Sequence, residues 1–187
     1  MAGVRLFVAV ELPQRVREHL DAGTGPLRAA MDGWRWAPAA QWHLTLAFLG
    51  EVPEERLPEL SRRMGLAARR HRPFELALAG FGAFGSARRA RILWVGVGGE
   101  REALVRLADT VSAGARRAKV ALEDRRYRPH MTLGRRRAPV DVRDLLDTGA
   151  GYQGPTWTVE EFVLVQSHLG SAVRHEVRET FPLRAPG

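Results

Sequence analysis

The chain has 187 residues, 45% of them hydrophobic and 27% charged, with a formal net charge of +8 at pH 7. That balance supports a folded domain with a real core and excludes a mainly disordered state. The absence of cysteine excludes disulfides, thiolate metal sites and cysteine nucleophiles.

No apolar run approaches the roughly 20 residues needed to span a bilayer. The apolar start reaches Glu11 and Pro13 too soon for a signal peptide, so a cytoplasmic protein without a membrane partner is expected. Nearly all of the positive charge is arginine, Lys119 being the only lysine. A GC-rich coding composition and selection for an anionic partner explain this equally well. In either case the field attracts polyanions such as RNA.

In chain order, strand-like alternation over 4–10 comes first. Pro13 suits the first turn of a helix carrying Val16 and Leu20, which Gly23, Gly25 and Pro26 interrupt. A strand over 43–48 precedes a helix whose stripe is Leu57, Leu60, Met64 and Ala67. Strands over 74–79 and 91–97 follow one another without a helix between them, so they are expected to be antiparallel neighbours. Leu104, Leu107, Val111 and Ala115 mark the next helix, and a strand covers 128–134. Val142, Leu145 and Leu146 suggest a short fourth helix, and strands over 157–165 and 173–180 close the chain. The pattern predicts an α+β fold in one domain over 1–187, with no linker to divide it.

Trp42-His43-Leu44-Thr45-Leu46 is echoed by Pro129-His130-Met131-Thr132-Leu133, the histidines lying 130 − 43 = 87 residues apart. A pair of related lobes explains that spacing. On a strand, positions i and i+2 share a face. His43 and Thr45 therefore point one way and Leu44 and Leu46 the other, as do His130 and Thr132 against Met131 and Leu133.

Two such strands facing across a groove would bring two imidazoles and two hydroxyls together. One imidazole can take a proton from water and the other can give one to a departing sugar oxygen, because histidine titrates near working pH. The hydroxyls of Thr45 and Thr132 can bind non-bridging phosphate oxygens. A single His-x-Thr is most often structural; a second copy in the same context shifts the balance to chemistry. Neither motif carries a nearby carboxylate or second histidine of the kind a catalytic zinc site needs, so neither a metal nor any other cofactor is expected. His19, His71, His168 and His175 read as surface or loop residues.

The sequence resembles the 2H phosphoesterase superfamily, and within it the RNA 2′,3′-cyclic phosphodiesterases, also called 2′-5′ RNA ligases. The resemblance rests on the opening Arg5-Leu6-Phe7-Val8-Ala9-Val10-Glu11-Leu12-Pro13 and on His43-Leu44-Thr45-Leu46-Ala47-Phe48-Leu49-Gly50. It continues through Ile92-Leu93-Trp94-Val95-Gly96 to Pro129-His130-Met131-Thr132-Leu133.

It implies a bilobal fold, two pseudo-symmetric lobes with largely antiparallel sheets around a central groove. It implies His43 as proton donor and His130 as proton acceptor, acting on RNA that ends in a 2′,3′-cyclic phosphate; a monomer is expected. The product is a 2′-phosphate, and reverse 2′-5′ joining is possible. Arg135 stands where the family often has an arginine. Its guanidinium would hold phosphate oxygens if Gly134 twists the strand, since a regular strand would turn it away from His130. Near the end His175 stands where the family often has tyrosine, which bears on base contacts.

Other signals are weaker. Gly80-Phe81-Gly82-Ala83-Phe84-Gly85 fits GxGxxG but leads into a strand, so it reads as a loop between antiparallel strands. Arginines cluster at Arg88, Arg89 and Arg91, at Arg125, Arg126 and Arg128, and at Arg135, Arg136 and Arg137, as solvated loops or as an RNA channel. Trp34, Trp36, Trp42 and Trp94 serve packing more often than base stacking. The alternatives are a 2H phosphoesterase of small cyclic nucleotides and a non-catalytic RNA-binding module.

Overall fold

Alternation of apolar and polar side chains yields nine strands and stripes of apolar residues yield four α-helices in the computed structural model, which describes residues 3–124, 126–170 and 173–184. The elements are β1 (Gly3–Glu11), α1 (Gln14–Ala30), β2 (Arg35–Trp36), β3 (His43–Pro53), α2 (Leu57–Ala68) and β4 (Phe74–Phe84). There follow β5 (Ala90–Gly99), α3 (Arg101–Arg117), β6 (Met131–Val140), α4 (Arg143–Gly149), β7 (Trp157–Val159), β8 (Glu161–His168) and β9 (Arg174–Pro182).

The strands form two antiparallel sheets, one in the order β3-β1-β8-β9 and the other β2-β6-β5-β4-β7. The expected α+β class with antiparallel neighbours is what the chain adopts.

The first sheet buries one face and works with the other. Leu6, Val8, Val10, Leu44, Leu46, Phe162 and Leu164 join Leu60 and Met64 of α2 and Leu104, Leu107 and Val111 of α3 in the main core. Full burial of a leucine such as Leu44 contributes roughly 1.5–3 kcal/mol. The opposite face carries a separate small cluster of Phe7, Ala9, Val163 and Val165. Strand alternation assigns His43 and Thr45 to that second face, because Leu44 and Leu46 occupy the first. β3 and β6 also touch one another, linking the two sheets.

Several boundaries differ from the sequence expectation. α1 runs unbroken through Gly23, Gly25 and Pro26. Thr24 Oγ1 donates to the Leu20 carbonyl at 2.8 Å, and Arg28 reaches back to the carbonyl and carboxylate of Asp21, bracing the turn that Pro26 weakens. The apolar run 157–165 is two strands, not one: β7 pairs with β4 in the second sheet and β8 with β1 in the first. The break at Glu160 is where the chain crosses between sheets. Gly80 to Phe84 lie within β4 rather than in a loop, and the turn begins at Gly85, φ 93°. The second motif's strand begins at Met131, so His130 stands one residue before β6. Arg125, from one of the arginine clusters, lies outside the described residues.

β2, two residues long, has no signal in the sequence pattern. It adds an edge to β6, pairing Trp36 with Gly134 and Arg35 with Arg135. Trp34 and Trp36 stack with ring centroids 5.7 Å apart. A Cβ at Gly134 would lie 2.8 Å from Trp36 Cε3 and 3.4 Å from Trp34 Cε3. The missing side chain is what lets the indoles cover the strand. Gly134→Val should therefore destabilise the protein by about 1–3 kcal/mol through overpacking, seen as a lower urea midpoint with unchanged m-value. An unchanged midpoint would show that the tryptophan pair does not bear on β6.

Candidate active site

Each motif histidine is fixed in the same way. His43 Nδ1 lies 2.7 Å from the Gln41 carbonyl, and His130 Nδ1 lies 2.6 Å from the Arg128 carbonyl. A carbonyl only accepts, so Nδ1 carries the proton in both rings and Nε2 is the nitrogen left to exchange one. Both bonds run to the carbonyl two residues back. The loop before β3 and the segment before β6 thus impose one imidazole orientation twice.

Each ring also rests on aromatic side chains. Phe7 stacks on His43 with centroids 4.7 Å apart, and His175 meets His43 edge-on at 5.4 Å and Phe7 at 5.0 Å. Phe84 meets His130 edge-on at 4.7 Å and Trp94 lies 6.2 Å from it. Trp94 lies against Gly82, where any Cβ would overlap the indole. The sequence pattern marked neither Phe7 nor Phe84, because alternating aromatics on strands read as core. His175, read as a surface residue, is exposed but sits on β9 beside His43. Gln41 Nε2 donates to the Val173 carbonyl at 2.8 Å, tying the start of that strand to the loop before β3.

The other three histidines lie outside this group: His19 bonds Tyr152, His71 bonds Thr110 and His168 pairs with Glu176. Trp34 and Trp42 are buried in the core. Among the described residues no three His, Cys, Asp or Glu side chains cluster as metal ligands.

Burial, more than any neighbour, pulls the His43 pKa from 6.5 down to about 4. The bond to Gln41 opposes this, while His175 and Arg17 add to it. His43 is consequently neutral near pH 7.

Thr45 and Thr132 are both half-buried. Across β5 and β6, Trp94 pairs with Thr132, Leu93 with Gly134 and Ile92 with Arg135. Leu133 is the extra residue of a β-bulge. Directly paired residues share a face, and Ile92 shares one with Trp94. Arg135 therefore lies on the Trp94–Thr132 face. The bulge, not a twist at Gly134, makes the correction that a regular strand would have denied.

A row of apolar side chains crosses the first sheet beside His43: Phe48 on β3, Phe7 on β1, Val165 on β8 and Val177 on β9. Phe48 is 64% exposed and Val177 45%. No helix among the described residues is long and apolar enough to cross a membrane.

Comparison with known proteins gives the context. The LigT-like phosphoesterase family model matches the chain twice, over 10–94 and 95–175, so that each match contains one His-x-Thr motif. An RNA 2′,3′-cyclic phosphodiesterase of Thermus thermophilus is 37% identical over 189 residues, covering 97% of this chain and 91% of that protein. Another, from Geobacillus stearothermophilus, is 31% identical over 180 residues; it is longer, and the match covers 95% of this chain but 56% of that protein. The crystal structure of Escherichia coli LigT complexed with 3′-AMP superposes with a TM-score of 0.77 at 28% identity, covering 98% of this chain and 99% of LigT. The repeated match accounts for the internal echo of the two motifs. The chain belongs to the LigT-like phosphoesterase family of enzymes.

Proposed function

We propose that this protein opens the terminal 2′,3′-cyclic phosphate of RNA, leaving a 2′-phosphate, with His43 and His130 as acid and base. The observation that carries the reading is the duplicated arrangement of two histidines, each with Nδ1 tied to the carbonyl two residues back, one opening β3 and the other immediately preceding β6, the strands through which the sheets touch. The names of the relatives and the nucleotide in the LigT complex supply the substrate class.

In this mechanism His130 Nε2 removes a proton from water as the water oxygen attacks phosphorus. The bond from phosphorus to O3′ breaks, and His43 Nε2 gives its proton to O3′. The cyclic diester becomes a 2′-monoester with a free 3′-hydroxyl. Thr45 and Thr132 donate hydrogen bonds to the non-bridging oxygens, and Arg135 offers a fork of donors to the same charge. A ribose 5′-hydroxyl in place of water would give a 2′–5′ linkage by the same proton transfers. The row Phe48, Phe7 and Val165 gives the terminal base an apolar surface on which to rest.

A donor must be protonated, and burial holds His43 neutral near pH 7. The substrate corrects this. One negative charge about 4 Å away at an effective dielectric of about 20 is worth roughly 4 kcal/mol, or about three pKa units at about 1.36 kcal/mol each. That carries the His43 pKa from about 4 back to its ordinary range, so the ring can hold the proton it must donate. Binding of phosphate then takes up a proton, so affinity should rise as pH falls from about 7 toward about 4. NMR titration of the His43 ring should give a value near 4 in the free protein and a clearly higher one with saturating 2′-AMP. A value that stays near 4 with ligand bound would remove His43 as the donor.

The reaction itself is tested with a short RNA ending in a 2′,3′-cyclic phosphate, incubated with excess chelator. The expected product is the 2′-phosphate, formed at the same rate with or without chelator. A 3′-phosphate product, or activity lost in chelator and restored by a divalent ion, would contradict the two-histidine mechanism.

A further inference from the structure

A cavity of about 620 Å³ lies beyond the catalytic end of β6, among β2, β5 and β6. Its walls carry Arg35, Arg91, Arg135, Arg136 and Arg137, with Ile92 between them, and no acidic residue. Arg136 is committed to structure: its Nε donates to the Ala138 carbonyl at 3.0 Å and its Nη1 to the Asp32 carbonyl at 2.8 Å. None of the other four pairs with a carboxylate among the described residues. Several arginines elsewhere have a carboxylate partner, such as Arg62 and Arg63 with Glu59, Arg28 with Asp21 and Arg143 with Asp141. Gathering like charges without counter-charge is unfavourable until an anion binds between them.

One residue of the cavity wall, Arg135, lies on the face of β6 proposed for catalysis. Arg135 shares that face with Thr132 through the bulge at Leu133, and Thr132 to Arg137 is at most ~17 Å of strand at ~3.3 Å per residue. Guanidinium groups bind phosphate through paired hydrogen bonds. No aromatic side chain lines the cavity, which suits a sugar–phosphate backbone and not a stacked base. Resting on the function proposed above, we infer that this cavity binds the internal phosphodiesters on the 5′ side of the cyclic end. It makes the enzyme selective for oligoribonucleotides over cyclic mononucleotides.

Arg91 and Arg137 lie outside the proposed catalytic set, so Arg91→Gln/Arg137→Gln tests the cavity alone. A charge-matched control is Arg116→Gln/Arg117→Gln on α3, where both residues are exposed. Wild type should process a pentanucleotide with a cyclic phosphate end at least about tenfold more efficiently than the matching cyclic mononucleotide at low salt. The cavity variant should lose most of that advantage through KM, leaving the mononucleotide rate unchanged. Removing two phosphate contacts should also flatten the dependence of log kcat/KM on log salt by about 1.4.

Equal efficiency on the two substrates in wild type, or equal losses in cavity variant and control, would overturn the inference. Anisotropy with a labelled pentanucleotide ending in a 2′-phosphate reads the cavity without turnover. The cavity variant should bind it several-fold more weakly than the control. If neither cyclic substrate reacts, the proposed reaction fails while this binding comparison still decides the cavity.

Discussion

An imidazole Nδ1 bonded to the carbonyl two residues back recurs at His43 and His130, and the chemistry proposed for the groove depends on it. The bond settles which nitrogen exchanges protons and leaves the ring little freedom to turn. Histidine without such a partner would populate two tautomers and several orientations, and an acid–base pair needs one of each. Phe7 stacks on the face of the His43 ring, and Phe84 meets the His130 ring edge-on. The same packing dries the site around His43 and lowers its pKa. Burial that positions the ring thus discharges it, and a bound anion beside it would reverse that.

The sheets follow from the same requirement. Leu44 and Leu46 bury one face of β3 while His43 and Thr45 present the other, and Met131 and Leu133 do the same for β6. Residues 10–94 and 95–175 match one family model in turn, so the two strands are counterparts in a duplicated unit. The halves are not independent: β7 completes the second sheet and β8, one residue later, enters the first. Trp157 and Phe162 anchor the two sides of that crossing in one continuous core.

Much of this was legible in the sequence because period-two alternation and three-four stripes are local. The duplicated motif was legible because it is short and nearly identical. What could not be read depends on partners distant in the chain. Residues 157–165 look like one strand because apolar periodicity carries no sheet identity, and only the pairing of β7 with β4 divides them. α1 survives Pro26 because Thr24 and Arg28 bond back across the turn. Arg135 reaches the face of Thr132 through a register shift that exists only once β5 and β6 are paired. Phe7 from β1 and His175 from β9 join His43 of β3, and neither carries a local signature of that role.

The division of labour between the histidines is tested most directly by changing the leaving group. A cyclic substrate whose 3′ oxygen is replaced by sulfur needs little protonation to depart. His43→Ala and His130→Ala should each lose about 10²- to 10⁴-fold on the oxygen substrate. Sulfur at the 3′ position should restore much of the lost rate to His43→Ala and little to His130→Ala. Equal rescue of both variants, or rescue of His130→Ala alone, would contradict the assignment of His43 as acid and His130 as base.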